Sequence, residues 1–225
     1  MAIVEGRYAP GDLIARSDQA AGLGSDPVTL RALGALEILG LVSRGPGGAT
    51  VNPECRWNSL DPRVVDWRMR SGNAACQVHW LAQVRSAVEP MAAALAAQNA
   101  TSEQVTALAE YCARMEDSAD DRNSPKFLEL DAAYHQTLLE ASGNPMFASF
   151  APFVAASLKT GETRGHMPMD VDRRIMRMHA EAAAAVAQGD AAGAEMAIRI
   201  ITGKSEASAL ARVCGEDTHS DPSAP

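Results

Sequence analysis

The 225-residue chain has few aromatic side chains (4%), four cysteines with no C-x-x-C pair among them, and no apolar run close to the roughly 20 residues that cross a bilayer. Each shortage excludes something. Cys55, Cys76, Cys112 and Cys214 are too scattered for a zinc knuckle or a disulfide framework, and they read as reduced thiols. The opening Met1-Ala2-Ile3-Val4-Glu5-Gly6 has neither the charge nor the apolar stretch of a secretory signal, so a cytoplasmic protein with no membrane partner is expected. With 47% apolar but so few aromatic residues, the core must be built from Ala, Leu, Val and Met, which is a helical composition. The net charge of −8 argues against a non-specific nucleic-acid coat. It leaves room for a protein that reads DNA through one small patch, because the field of the contacting face is what matters.

What is present divides near residue 60. Before it, Gly and Pro recur and short β-type stretches flank one helical stretch; after it, long Ala-rich segments carry helical periodicity. Residues 27–40 predict a helix, with Leu30, Leu33, Leu36 and Ile38/Leu39 as its apolar face, Ser25 or Asp26 as cap and Gly40 as stop. Leu41-Val42-Ser43-Arg44, a Gly-rich turn at 45–48 and Ala49-Thr50-Val51 then predict a hairpin. A helix followed by a Gly-tipped hairpin outlines a winged helix. Downstream, residues 74–99, 102–118, 124–141, 145–160, 171–188 and 191–213 each read as a helix, punctuated at Ser142-Gly143-Asn144-Pro145 and Gly189-Asp190. The expected fold is mostly α: a winged helix-turn-helix over 1–56, a linker over 57–73 containing the Asp61-Pro62 junction, an all-α bundle over 74–213 and a disordered tail over 214–225.

Three features concentrate polar chemistry in the helical half. Asp131 and His135 stand at i, i+4 on one helix face, His179 lies on a later helix, and Arg85 precedes Glu89 by one turn. Each admits a plain reading: a surface carboxylate–imidazole pair, a salt bridge of Arg85 with Glu89, and for Asn144 a helix cap. His79 and His166 fall outside these groupings and read as surface residues.

The residues also resemble a family. Gly6-Arg7-Tyr8-Ala9-Pro10-Gly11-Asp12, with Leu36-Glu37-Ile38-Leu39-Gly40-Leu41-Val42 and Gly47-Gly48-Ala49-Thr50-Val51, is similar to the head of GntR-type winged-helix regulators. Arg85-Ser86-Ala87-Val88-Glu89-Pro90, Asp131-x-x-x-His135, Ser142-Gly143-Asn144-Pro145 and His179 before Gly189-Asp190 resemble the FCD ligand-binding domain of the FadR branch. The stretch Arg56-Trp57-Asn58-Ser59-Leu60-Asp61-Pro62 with Val65-x-Trp67 resembles sugar-acid operon repressors such as those of galactonate operons.

The resemblance implies a homodimeric, non-enzymatic transcriptional regulator, a repressor, whose hold on operator DNA is set by a small carboxylate effector such as a sugar acid. It implies a divalent metal, Zn or Ni, on Asp131, His135 and His179, effector contacts from Arg85 and Asn144, and DNA contacts from Ser25, Thr29, Arg31, Arg44 and Gly47. The chain departs from the pattern in three places. Most of the first helix of the winged-helix core is missing ahead of Ile3, which would strip cover from Leu33 and Leu36. In the reading head, Asp26 and Leu30 stand where the family carries arginines, and residues 1–60 hold five arginines against six acids. The fourth metal ligand of the family falls near Ile201. The alternative is a ligand or metal sensor whose DNA-reading head is degenerate. A metal-dependent enzyme ranks behind both, since no nucleophile or base set accompanies the candidate ligands.

Overall fold

The computed structural model describes residues 2–16, 27–45, 48–72, 74–117, 125–163 and 173–217. Ser25, Asp26, Gly47, His166 and the last eight residues lie outside them. The chain divides into two compact units, residues 1–72 and 73–225.

In the first unit, strand β1 (Leu13–Arg16) precedes helix α1 (Pro27–Ile38), and strands β2 (Val42–Gly45) and β3 (Gly48–Val51) form the expected hairpin. β3 lies between the other two, antiparallel to both, pairing Val42 with Val51 and Gly45 with Gly48, and Leu13 with Thr50 and Arg16 with Gly48. Alternation along β3 turns Ala49 and Val51 inward. The apolar cluster that Val51 joins contains Ile3, Val4, Leu39, Leu41, Val42, Trp57 and Val64. α1 contributes no buried residue: Leu30 is 45% exposed and Ile38 76%, while Leu33 and Leu36 are half-buried. Among the described residues, the apolar face expected of this helix is only partly covered, with Leu36 packed against the cluster.

Residues 57–72, read in the sequence as linker, are folded into this unit instead. Asp61 caps helix α2 (Pro62–Met69) by accepting from the Arg63 backbone N–H at 2.9 Å, and Pro62 occupies the first turn, where its missing donor costs nothing. Val64, Val65 and Met69 are buried, and Arg68 lies over the Trp57 ring at 5.4 Å while pairing with Glu54 at 2.8 Å. A segment that can bury this much apolar surface does not stay extended.

The second unit holds α3 (Ala74–Asn99), α4 (Ser102–Asp117), α5 (Pro125–Ala141), the single turn α6 (Pro145–Ala148), α7 (Ala151–Thr163), α8 (Arg173–Gln188) and α9 (Ala191–Asp217). α5 packs against α3, α4 and α7; α8 packs against α3, α4 and α9. Fully buried Ala92, Ala93 and Ala96 on α3 and Ala194 on α9 have no bulk to hold backbones apart, which suits the long α3–α9 contact. The single helix expected over 145–160 is two, because the Phe150 N–H bonds back to the Phe147 carbonyl and tightens the last turn of α6. The last helix continues through Asp217, past the tail boundary expected at Cys214. No helix among the described residues is long and apolar enough to cross a membrane.

Gly40 ends α1 with φ +71°, and a Cβ there would meet the Arg56 carbonyl oxygen at 2.1 Å. Gly34, in mid-helix, faces open space. Gly40→Ala is therefore expected to lower the stability of the first unit by about 2 kcal/mol or more, through a left-handed conformation and a backbone clash. Gly34→Ala should leave it unchanged or raise it by up to about 1 kcal/mol. Denaturant unfolding of the two variants checks the pair.

Candidate ligand- and metal-binding site

The polar centre of the second unit is assembled by three helices. α3 supplies Arg85 and Glu89, α5 supplies Asp131 and His135, and α8 supplies His179; all five are buried. On α3 and α5 the i, i+4 spacing stacks the paired residues on one face.

At the base, Glu89 is fully buried and takes Arg85 Nε at 2.6 Å on Oε1, with Arg85 Nη2 3.4 Å from Oε2. His135 Nδ1 lies 2.7 Å from Glu89 Oε2, a charge contact set off the line of the ring N–H. Above it, Arg85 Nη2 is 3.1 Å from His135 Nε2. A guanidinium only donates, so this Nε2 accepts, and the ring's proton belongs on Nδ1 beside Glu89. His179 Nδ1 is 2.9 Å from the Ile175 carbonyl oxygen, which only accepts, so its Nδ1 also carries a proton. In their neutral forms both imidazoles therefore leave Nε2 unprotonated, and the two Nε2 atoms lie 3.3 Å apart. Asp131 Oδ1 joins them, 3.2 Å from His179 Nε2 and 3.7 Å from His135 Nε2. Tyr134 holds the frame: its hydroxyl donates to the His179 carbonyl at 3.0 Å and its ring meets both imidazoles edge-on.

These residues fit a divalent cation. The three Asp131, His135 and His179 donor atoms lie within 4.8 Å of one another. Their separations of 3.2, 3.3 and 3.7 Å bracket the edge of about 3.4 Å that roughly 2.1 Å metal–ligand bonds give a tetrahedron. The charge argues the same way: two buried carboxylates face one guanidinium, leaving one negative charge to neutralise. The fourth family position, Ile201, is buried in the apolar core and offers no ligand. Cys112 is no rival thiolate, since burial first, then Asp131 and Glu116, push its pKa up to about 12.

The other site candidates separate from this cluster. Asn144 is the cap of α6, its Oδ1 accepting from the Met146 N–H at 2.9 Å, and no hydrogen bond described joins it to the cluster. His79 is half-buried with its Nδ1 unpartnered, not a surface residue as read. In the first unit Arg31 is exposed on α1 and Thr29 is half-buried. Arg44 is exposed on β2 and held by Glu37, with Nε donating to Oε2 at 2.6 Å and the Arg44 N–H donating to Oε1 at 3.3 Å.

Glu89 also belongs to the site, although its spacing from Arg85 predicts only the salt bridge that is seen. The signal was available: Val78, Ala82, Arg85, Glu89, Ala92, Ala93 and Ala96 fall on one helical stripe, so the pair had to be buried. Tyr134 carried no such mark beyond its place beside His135.

Burial raises the Glu89 carboxyl, but Arg85 and His135 outweigh it and hold the group down at about 2. Asp131 is likewise held below the ordinary range, burial being overcome by the hydrogen bond that His179 donates in its protonated form and by the charges of protonated His135 and His179 and of Arg85. A carboxyl with a folded pKa below its unfolded one stabilises the fold above the unfolded value and loses that contribution on acidification. The stability of the second unit should therefore fall from near pH 4.5 toward pH 2. Glu89→Gln, less stable at neutral pH because Arg85 is stranded, should show a shallower decline. Thermal midpoints measured across that range check both.

Comparison with known proteins agrees with this architecture. The FCD domain family matches residues 81–202, which contain Arg85, Glu89, Asp131, His135 and His179. The uncharacterized HTH-type transcriptional regulator YieP of Escherichia coli K12 is 30% identical over 152 residues, 66% of each chain. The galactonate operon transcriptional repressor of the same organism is 32% identical over 99 residues, 44% of this chain and 42% of that one. The chain thus spans 66% and 42% of the lengths of these two relatives. Among solved structures, a GntR protein of Streptococcus agalactiae superposes with TM-score 0.53 at 20% identity over 94% of both chains. The Listeria monocytogenes protein Lar gives TM-score 0.62 at 16% identity over 93% of this chain and 92% of that one. Those likenesses speak for the fold of both halves. The family match covers more than half of the 225 residues, and with the relatives it establishes that the chain belongs to the FadR-type branch of the GntR family, defined by the FCD domain.

Proposed function

We propose that the protein is a cytoplasmic, homodimeric transcriptional regulator, a repressor, whose second unit senses a small carboxylate, a sugar acid, and whose first unit reads operator DNA. The observation that carries the reading is the convergence of Asp131 Oδ1 and two imidazole Nε2 atoms in a buried site beside one arginine. Asp131, His135 and His179 would hold a zinc or nickel ion, which supplies a Lewis-acidic centre for an anionic ligand. With three protein donors and Ile201 in place of a fourth, a coordination position is left to a carboxylate. Arg85 is the residue suited to pair with that carboxylate through its planar fork. Asn144 spends its Oδ1 on the cap of α6. The sugar-acid class leans on the galactonate operon repressor among the relatives. Effector binding would bias two arrangements of the bundle, each with its own affinity for the operator.

In the first unit, α1 and the β2–β3 hairpin are the elements available to DNA. Arg31 is the exposed cation of α1, and its guanidinium suits guanine or phosphate. Arg44 would have to exchange Glu37 for phosphate, which weakens its contribution. That pairing favours the second reading, a sensor whose head no longer binds DNA.

Two measurements test these readings. Wild-type protein should take up about one zinc or nickel ion per chain, and His135→Ala should take up none; equal metal content in both would overturn the metal site. Fragments of the DNA upstream of its own coding sequence should be retained specifically at low salt and released by a sugar acid. Folded, dimeric protein that retains none of them would leave the sensor reading.

A further inference from the structure

The same geometry that favours a cation contains an obstacle to it. An imidazole nitrogen has one lone pair in the ring plane, and that of His135 Nε2 is already engaged by Arg85 Nη2 at 3.1 Å. The two other donors of the cluster stand 3.3 and 3.7 Å from the same atom. A guanidinium and a metal ion cannot share that lone pair, and their like charges oppose close approach in a buried site.

We propose that Arg85 is a built-in competitor of the metal: it occupies the His135 Nε2 lone pair in the metal-free site and must release it for an ion to bind. This rests on the metal site proposed above. The release is local. Arg85 Nε is anchored on Glu89 Oε1 at 2.6 Å, and Nη2 already lies 3.4 Å from Glu89 Oε2, so it can leave His135 while the guanidinium keeps its carboxylate partner. Arg85 thus lowers the affinity of the empty site. An ion that binds displaces the Nη2 donor that His135 held and turns it toward an anion next to the metal, and by linkage an anion that holds Arg85 away from His135 must tighten the ion. The buried arginine couples the two ligands without any movement of the helices.

A single Arg85 substitution would strand buried Glu89, so the test removes both charges. Arg85→Met/Glu89→Gln leaves the net charge of the site as it was, keeps an acceptor beside His135 Nδ1, and deletes the hydrogen bond to Nε2. Zinc affinity of the full chain, with no other ligand present, is read by competition with a chromophoric chelator at fixed pH. The competitor role predicts that the double variant binds zinc about tenfold or more tightly than wild type, the equivalent of one hydrogen bond from a charged donor. Arg85→Lys, which keeps the charge near Glu89 on a shorter side chain without the fork, should bind severalfold more tightly and serves if the double variant does not fold. Affinity unchanged or weaker in the folded variants, with zinc binding by wild type lost in His135→Ala, overturns the competition and leaves the metal site standing. Zinc bound equally by wild type and His135→Ala, or by neither, overturns the metal site and this inference with it.

Discussion

The second unit depends on keeping two carboxylates and a guanidinium paired where there is no water. Glu89 is fully buried, Arg85 and Asp131 nearly so, and an unpaired ion in such a place would cost several kcal/mol. The pairing is bought with geometry: Arg85 and Glu89 one turn apart on α3, His135 laid against Glu89 from α5, His179 closing from α8. Each contact ties a different helix to the centre. The bundle is therefore organised round its polar core as much as round its apolar one, and a loss at any one member leaves charge exposed to its neighbours.

Around that centre the composition does the rest. A core of Ala, Leu, Val and Met lets helices approach without specifying much about register. One of the few aromatic residues is placed where register has to be fixed: Tyr134 is fully buried against the two imidazoles and hydrogen-bonded to the backbone of α8. An ordinary apolar residue there would pack but could not orient His179, whose own Nδ1 is satisfied within its helix by the Ile175 carbonyl. Both Nε2 atoms are set toward Asp131 from the far side of each ring, by the His179 Nδ1 hydrogen bond to the Ile175 carbonyl and by the contact of His135 Nδ1 with Glu89.

Much of this was legible in the chain because it is local. Asp131 and His135 share a face by their spacing, Asp61-Pro62 starts a helix by its chemistry, and Asn144 caps one for the same kind of reason. His179 could be joined to them only through the resemblance to FCD domains, since nothing in its own segment says which helix it faces. What went unread depends on tertiary contact. Residues 57–72 look like a linker until Val64 and Trp57 are seen to have a cluster to enter. The spacing of Arg85 and Glu89 predicts their salt bridge, but its burial shows only when the stripe they belong to is followed along the whole of α3. The break between α6 and α7 is a matter of one three-residue hydrogen bond at Phe150, which no propensity encodes.

The first unit presents the opposite electrostatic situation, and it bears on how DNA would be held. Its arginines are largely spent on neighbours: Arg7 on Glu5, Arg44 on Glu37, Arg63 on Asp61, Arg68 on Glu54 and Arg70 on Asp66. These pairs are mostly exposed, worth little to stability, and open to exchange for phosphate, but each exchange sets a carboxylate against the nucleic acid. Counterion release by such a head is small, so a single copy has little affinity to offer and little tendency to hold DNA of arbitrary sequence. Under the proposed reading, useful affinity would come from two heads engaging two half-sites together, where linking the second contact to the first multiplies the binding without any added charge. A regulator built this way is sensitive to the spacing of its heads, and a sensor unit that alters that spacing by a small amount would have a large effect on occupancy.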